Sequence, residues 1–134
     1  MNRSRFLFFL FFTSVFASCV NYVPCSEVTD KHVIGYYYSL NEKNRNKQYL
    51  QLMDNGTFIN VYCDNKFSIR DTGTWKRNDC EVYLNGMRHF NTPMRDPSVT
   101  FSSIYRWMDG KLFLGEDDLS FKKTRKKITV FCKD

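Results

Sequence analysis

The chain carries two different hydrophobic patterns. Residues 6–17 form a largely apolar run in which six of the twelve positions are Phe. From residue 32 onward, short runs of apolar and polar residues alternate between clusters of turn residues. A period of two puts every second side chain on one side of an extended chain, so these runs predict half-buried β-strands. They occupy 32–39, 48–53, 57–63, 67–76, 80–84, 104–108, 111–114, 119–123 and 128–132. Within them Leu50 and Leu52, Val82 and Leu84, Leu112 and Leu114, Leu119 and Phe121, and Ile128 and Val130 are expected to face inward. No segment sustains an apolar stripe at helical spacing.

The turn residues sharpen the picture. Asp54-Asn55-Gly56 and Asp109-Gly110 each separate two strand-like runs, and Asn-Gly or Asp-Gly accepts the positive φ of a tight hairpin. A further turn falls at Asn78-Asp79. Many short strands joined by short turns predict an all-β domain, a small antiparallel meander barrel of about eight strands. The run Leu50-x-Leu52-x-x-Asn55-Gly56-Thr57-Phe58-x-x-x-Tyr62, followed by Gly73-Thr74-Trp75 and then Val82 and Leu84, resembles the lipocalin-like (calycin-type) domains of small lipoproteins. The resemblance covers about residues 34–84 and implies architecture: Gly56 in the turn, Phe58 and Trp75 in the core. It implies no shared activity. An eight-stranded barrel of short strands has an interior largely filled by side chains.

The N-terminal run carries a different message. Arg3 and Arg5 precede it, and it ends in Phe16-Ala17-Ser18-Cys19. A basic stretch, an apolar stretch and small residues are the three parts of an export signal. The run is shorter than the roughly 20 residues a membrane-spanning helix needs. A cysteine directly after the small residues resembles the lipobox of bacterial lipoproteins, with Phe16 where Leu is commonest. That resemblance implies cleavage before Cys19 and a diacylglycerol on its sulfur. The expected division is a signal peptide over 1–18, a lipidated tether over 19–31 and the barrel over 32–134. By resemblance to enterobacterial sorting, Val20 after the cysteine implies the outer membrane. The expected location is the bacterial cell envelope, or secretion if cleavage falls nearby without lipid.

The cysteines agree with export. There are five: Cys19, Cys25, Cys63, Cys80 and Cys132. Acylating Cys19 leaves four, enough for two disulfides by three pairings. The expected pairs are Cys63 with Cys80, and Cys25 with Cys132, the second tying the first ordered segment to the last strand. No C-x-x-C spacing exists and neither His32 nor His89 adjoins a cysteine, so no metal site and no cofactor are expected. Neither histidine has the context nucleophilic catalysis needs, and the reading is non-enzymatic.

Charge narrows the partners. The formal net charge is +6, and two of the arginines belong to the export signal. The densest run, Lys122-Lys123-Thr124-Arg125-Lys126-Lys127, suits either contact with an anionic surface or a solvated hairpin whose lysines protect edge strands. Nucleic acid is not an expected partner outside the cytoplasm. Glu116-Asp117-Asp118 offers too few spaced oxygens for Ca²⁺.

The longest connection, 86–103, holds Pro93 and Pro97 and a set of anchor-type residues. Long connections in compact domains are often functional, and exposed Phe, Met and Arg suit interfaces. The segment reads equally as an interface or as a cap on one barrel end. The leading expectation is a protein partner of inhibitor or immunity type, held by Arg88, His89, Phe90, Met94 and Arg95. The alternative is a small apolar ligand among Tyr36, Tyr38, Phe58, Tyr62 and Trp107. A third reading is a structural module of the envelope surface.

Overall fold

The computed structural model describes residues 22–40, 47–63, 68–88, 100–114 and 120–127. Eight antiparallel strands follow one another in meander order: β1 (Gly35–Ser39), β2 (Gln48–Leu52), β3 (Thr57–Cys63), β4 (Ser68–Asn78), β5 (Glu81–Met87), β6 (Phe101–Met108), β7 (Lys111–Phe113) and β8 (Ser120–Thr124). Each pairs with the next, and β8 pairs back onto β1, so the sheet closes into a barrel. This is the all-β meander barrel expected from the alternation.

Alternation decides which side chains fill it. Leu50, Leu52, Val82, Leu84, Leu112 and Phe121 are all buried in one core cluster with Phe58 and Trp75. Leu114 packs against that cluster from a partly buried position. Leu119, Ile128 and Val130 lie outside the described residues, as does the run 128–132. Burying a large apolar side chain stabilises by about 1.5–3 kcal/mol, so this cluster carries the fold. Gly73 lets the wall close over it. A Cβ at Gly73 would lie 1.9 Å from the Asn85 carbonyl oxygen and 2.7 Å from the Phe58 ring.

Three local structures depart from the pattern. Residues Asp30–Val33 form a short helix, α1, where a strand beginning at residue 32 was expected. Four residues are too few to leave a periodic stripe. Its signal is the cap: the Thr29 N–H donates to His32 Nδ1 at 2.9 Å in a capping box. The Asn55-Gly56 turn takes positive φ only at Gly56, while Asn55 Oδ1 accepts from the Thr57 N–H (3.1 Å) and hydroxyl (2.6 Å). Asp109-Gly110 has positive φ at both residues, as a two-residue hairpin turn requires. Finally, β5 runs on to Met87 through a bulge at Gly86 (φ 108°), and β6 begins at Phe101, so the connection expected over 86–103 is shorter at both ends.

The observed disulfide corrects the expected pairing. Cys25 bonds to Cys80, with a Cα–Cα distance of 4.7 Å, which rules out both Cys63 with Cys80 and Cys25 with Cys132. The reason is the length of β4. Cys63 pairs with Ser68 where β4 begins, and Cys80 follows its end at Asn78. An extended strand of that length holds the two cysteines roughly 30 Å apart.

Candidate functional site

The two ends of the barrel are built differently. At one end lie the three tight connections: β2–β3, β4–β5 and β6–β7. The N-terminal segment packs across this end. Val28 and Val33 belong to the core cluster, with Val23 and Cys25 packed against it, so part of the stretch expected as a tether is built into the barrel. A 3-10 turn (Cys25–Glu27) leads into α1. The helix is held on several sides. The Tyr37 hydroxyl donates to the Val33 carbonyl, and Lys123 Nζ donates to the carbonyls of His32 (2.7 Å) and Lys31 (3.4 Å). Arg77 Nε meets Asp30 Oδ1 at 2.8 Å, and the His32 ring lies 5.7 Å from that of Trp107. The Cys25–Cys80 disulfide fastens the same end.

Burial marks the charges and phenols here. It pushes the Tyr37 phenol well above the ordinary tyrosine range, partly offset by the Trp107 indole, and does the same to Tyr105. It pushes the Lys123 ammonium below the ordinary lysine value. The rest of the basic run differs from Lys123: Lys122, Arg125, Lys126 and Lys127 are exposed.

The opposite end is the mouth. The connections β1–β2, β3–β4, β5–β6 and β7–β8 all leave from it. Its inner wall turns polar, with Ser39, Gln48, Asn60 and Asp71 buried there. Asp71, 4% exposed, receives Arg88 twice, from Nε to Oδ1 at 2.5 Å and from the backbone N–H to Oδ2 at 3.1 Å. Arg88 Nη2 also donates to the Arg70 carbonyl at 3.1 Å. Arg88 thus fixes the root of the β5–β6 connection with its guanidinium engaged in the wall. His89, Phe90, Met94 and Arg95 lie outside the described residues, as do Cys19 and the acidic triplet 116–118.

The aromatic set expected to hold an apolar ligand does not share one space. Tyr37 faces inward and is fully buried, so Tyr36 and Tyr38 sit on the outer face of β1, a correction that alternation forces. Phe58, Tyr62 and Trp107 do point inward, but Phe58 pairs with Gly73 deep in the wall while Tyr62 pairs with Ile69 near the mouth. Sequence reasoning missed the buried polar set. A signal existed: Gln48 shares a face with Leu50 and Leu52, and Asn60 with Phe58 and Tyr62.

The remaining cysteines bear on tethering. Cys63 is disulfide-bonded, and its partner lies outside the described residues. Cys132, like Cys19, lies outside the described residues. Among the described residues no group of three His, Cys, Asp or Glu is placed to hold a metal ion, and no helix is long and apolar enough to cross a membrane. Comparison of the chain with family models, with curated proteins and with solved structures gives no match.

Proposed function

We propose that this chain is a non-enzymatic, lipocalin-like binding protein of the bacterial cell envelope, anchored through lipid on Cys19, outer membrane favoured, and engaging a protein partner through the connections at its mouth. The observation that carries this reading is the polarity of the barrel. The N-terminal segment enters at the closed end, fastened there by Cys25–Cys80, and four connections, the long β5–β6 among them, leave from the opposite end. An anchor at Cys19 would set the closed end against the membrane and turn the mouth outward. Lys31, Arg125, Lys126 and Lys127 are exposed near the closed end and would meet anionic head groups. A diacylated cysteine supplies the two chains that stable anchoring needs.

Two experiments test it. The intact mass of protein recovered from the membrane fraction should correspond to a chain beginning at an acylated Cys19; an unmodified thiol there removes the anchor. Replacing Phe90 and Arg95 together with Ala should weaken partner capture from solubilised envelope by about tenfold or more, with the melting temperature close to wild type. Equal capture by the double variant would remove the loop contact. The inhibitor or immunity role belongs to this reading. The apolar-carrier reading has less support, because Leu50, Leu52, Phe58, Leu84, Leu112 and Phe121 fill the space such a ligand would take.

A further inference from the structure

Beneath the mouth, the barrel wall changes character one residue at a time. The inward positions of β2 run from Leu52 through Leu50 to Gln48, and those of β3 from Phe58 through Asn60 to Tyr62. Gln48 and Asn60 are 1% and 0% exposed. Leucine or valine at these two positions would continue the packing of the layer below. Instead two carboxamides face each other, and Gln48 Nε2 donates to Asn60 Oδ1 at 3.3 Å. A facing amide pair can close a second bond in the reverse direction. This one does not: Gln48 Oε1 and Asn60 Nδ2 are both fully buried and have no hydrogen-bond partner among the described residues. A buried polar atom left unpaired costs more than a typical hydrogen bond contributes, so an unpaired acceptor and an unpaired donor on one hydrogen-bonded pair point to a partner from outside the chain.

We propose that Gln48 and Asn60 form a recognition site inside the barrel mouth for a small neutral molecule that presents a hydrogen-bond donor and acceptor on one edge, of the primary-carboxamide, lactam or cyclic-urea class. The ligand donates to Gln48 Oε1 and accepts from Asn60 Nδ2. Its neutrality follows from the neighbouring wall. Asp71, which pairs with Asn60 across β3 and β4, has both carboxylate oxygens occupied by Arg88. Among the described residues the buried charge beside the pair is therefore compensated, and it offers no free counterion to a charged ligand. The site goes beyond the partner reading and does not depend on it, since it includes no residue of the β5–β6 connection beyond Arg88.

The test uses the full-length exported protein, labelled with ¹⁵N, with benzamide as probe and toluene as its apolar match. Benzamide should shift the side-chain NH₂ resonances of Gln48 and Asn60 saturably at millimolar concentration, and toluene should not. The volume-matched double variant Gln48→Met/Asn60→Leu removes both orphaned atoms. It should weaken benzamide binding by more than about tenfold, read from the backbone resonances of β2 and β3. If benzamide gives no saturable shift, or toluene shifts the same resonances equally, the pair is a structural feature satisfied by water and the proposal fails. That comparison is made on the wild-type chain, so it decides the matter even if the double variant does not fold. Undiminished benzamide binding by a folded double variant would also overturn it.

Discussion

Gly73 carries the tightest steric constraint in the barrel wall. Gly73→Ala would drive a methyl into the Asn85 carbonyl and the Phe58 ring, and overpacking of this kind should cost about 3 kcal/mol in urea unfolding. A change within about 0.5 kcal/mol of wild type would show that Phe58 does not lie over this position. Asp71 and Arg88 give a second expectation. Arg88→Ala leaves a carboxylate that is almost fully enclosed without its partner, at a cost of about 2–3 kcal/mol, the part-exposure of Arg88 holding it to that range. Adding Asp71→Leu should recover part of the loss, because no buried charge then remains. Arg88→Ala is therefore a poor probe of partner binding, and Phe90 and Arg95 are better ones. Buried phenols set the alkaline limit. Tyr37 and Tyr105 have folded values raised above the unfolded 10.0, so the stability they contribute is complete below pH 10.0 and is lost as the pH rises through the folded values. Lys123, lowered by burial, works in the opposite sense over the approach to its unfolded value of 10.5. With two phenols against one amine, unfolding should become easier above pH 10.0. Tyrosinate absorbance should then rise in two stages, the second coinciding with loss of structure. A single smooth titration with the fold intact would contradict the burial of these two rings.

At the scale of elements, the strongest signals in the chain were those with a steric cause. Asp109-Gly110 was legible because both residues take positive φ, and Gly73-Thr74-Trp75 because glycine and tryptophan occupy opposite extremes of side-chain volume. α1 was not legible, since a four-residue helix makes too little periodic pattern and its capping box uses His32 where Glu or Gln is usual. The disulfide pairing was not legible either. It depends on which end of β4 each cysteine occupies, and strand length is the least certain feature of an alternation pattern. Removing Cys25–Cys80 by replacing both residues with Ala tests what the bond contributes. It closes 55 residues, worth about 4 kcal/mol in the chain-entropy model. The double variant should unfold at correspondingly lower urea and should be cleaved first within residues 22–34 under limited proteolysis. Cleavage first at the mouth, with stability unchanged, would show that the N-terminal segment is held by packing alone.

For the whole molecule, the division into a closed end and a mouth matters more than any single residue. The inward alternation was legible in β2, β5, β7 and β8 but not in β1, where Tyr37 and not Tyr36 or Tyr38 faces inward, and which ends of the strands share a rim emerges only from the closed topology, which is why the buried polar layer of Ser39, Gln48, Asn60 and Asp71 went unseen. The same topology turns the cysteines into a test of tethering. Peptide mapping of the non-reduced protein should join Cys63 to Cys132 and leave Cys19 for acylation; a Cys19–Cys63 bridge would exclude the anchor. The most direct test of the central claim is photocrosslinking in intact envelope, with a photoreactive residue introduced in place of Arg95 in the β5–β6 connection or of Asp109 in the turn at the closed end. A protein adduct is expected from position 95 and none from position 109. An adduct from position 109 with none from position 95 would contradict it, placing recognition at the end here assigned to the membrane.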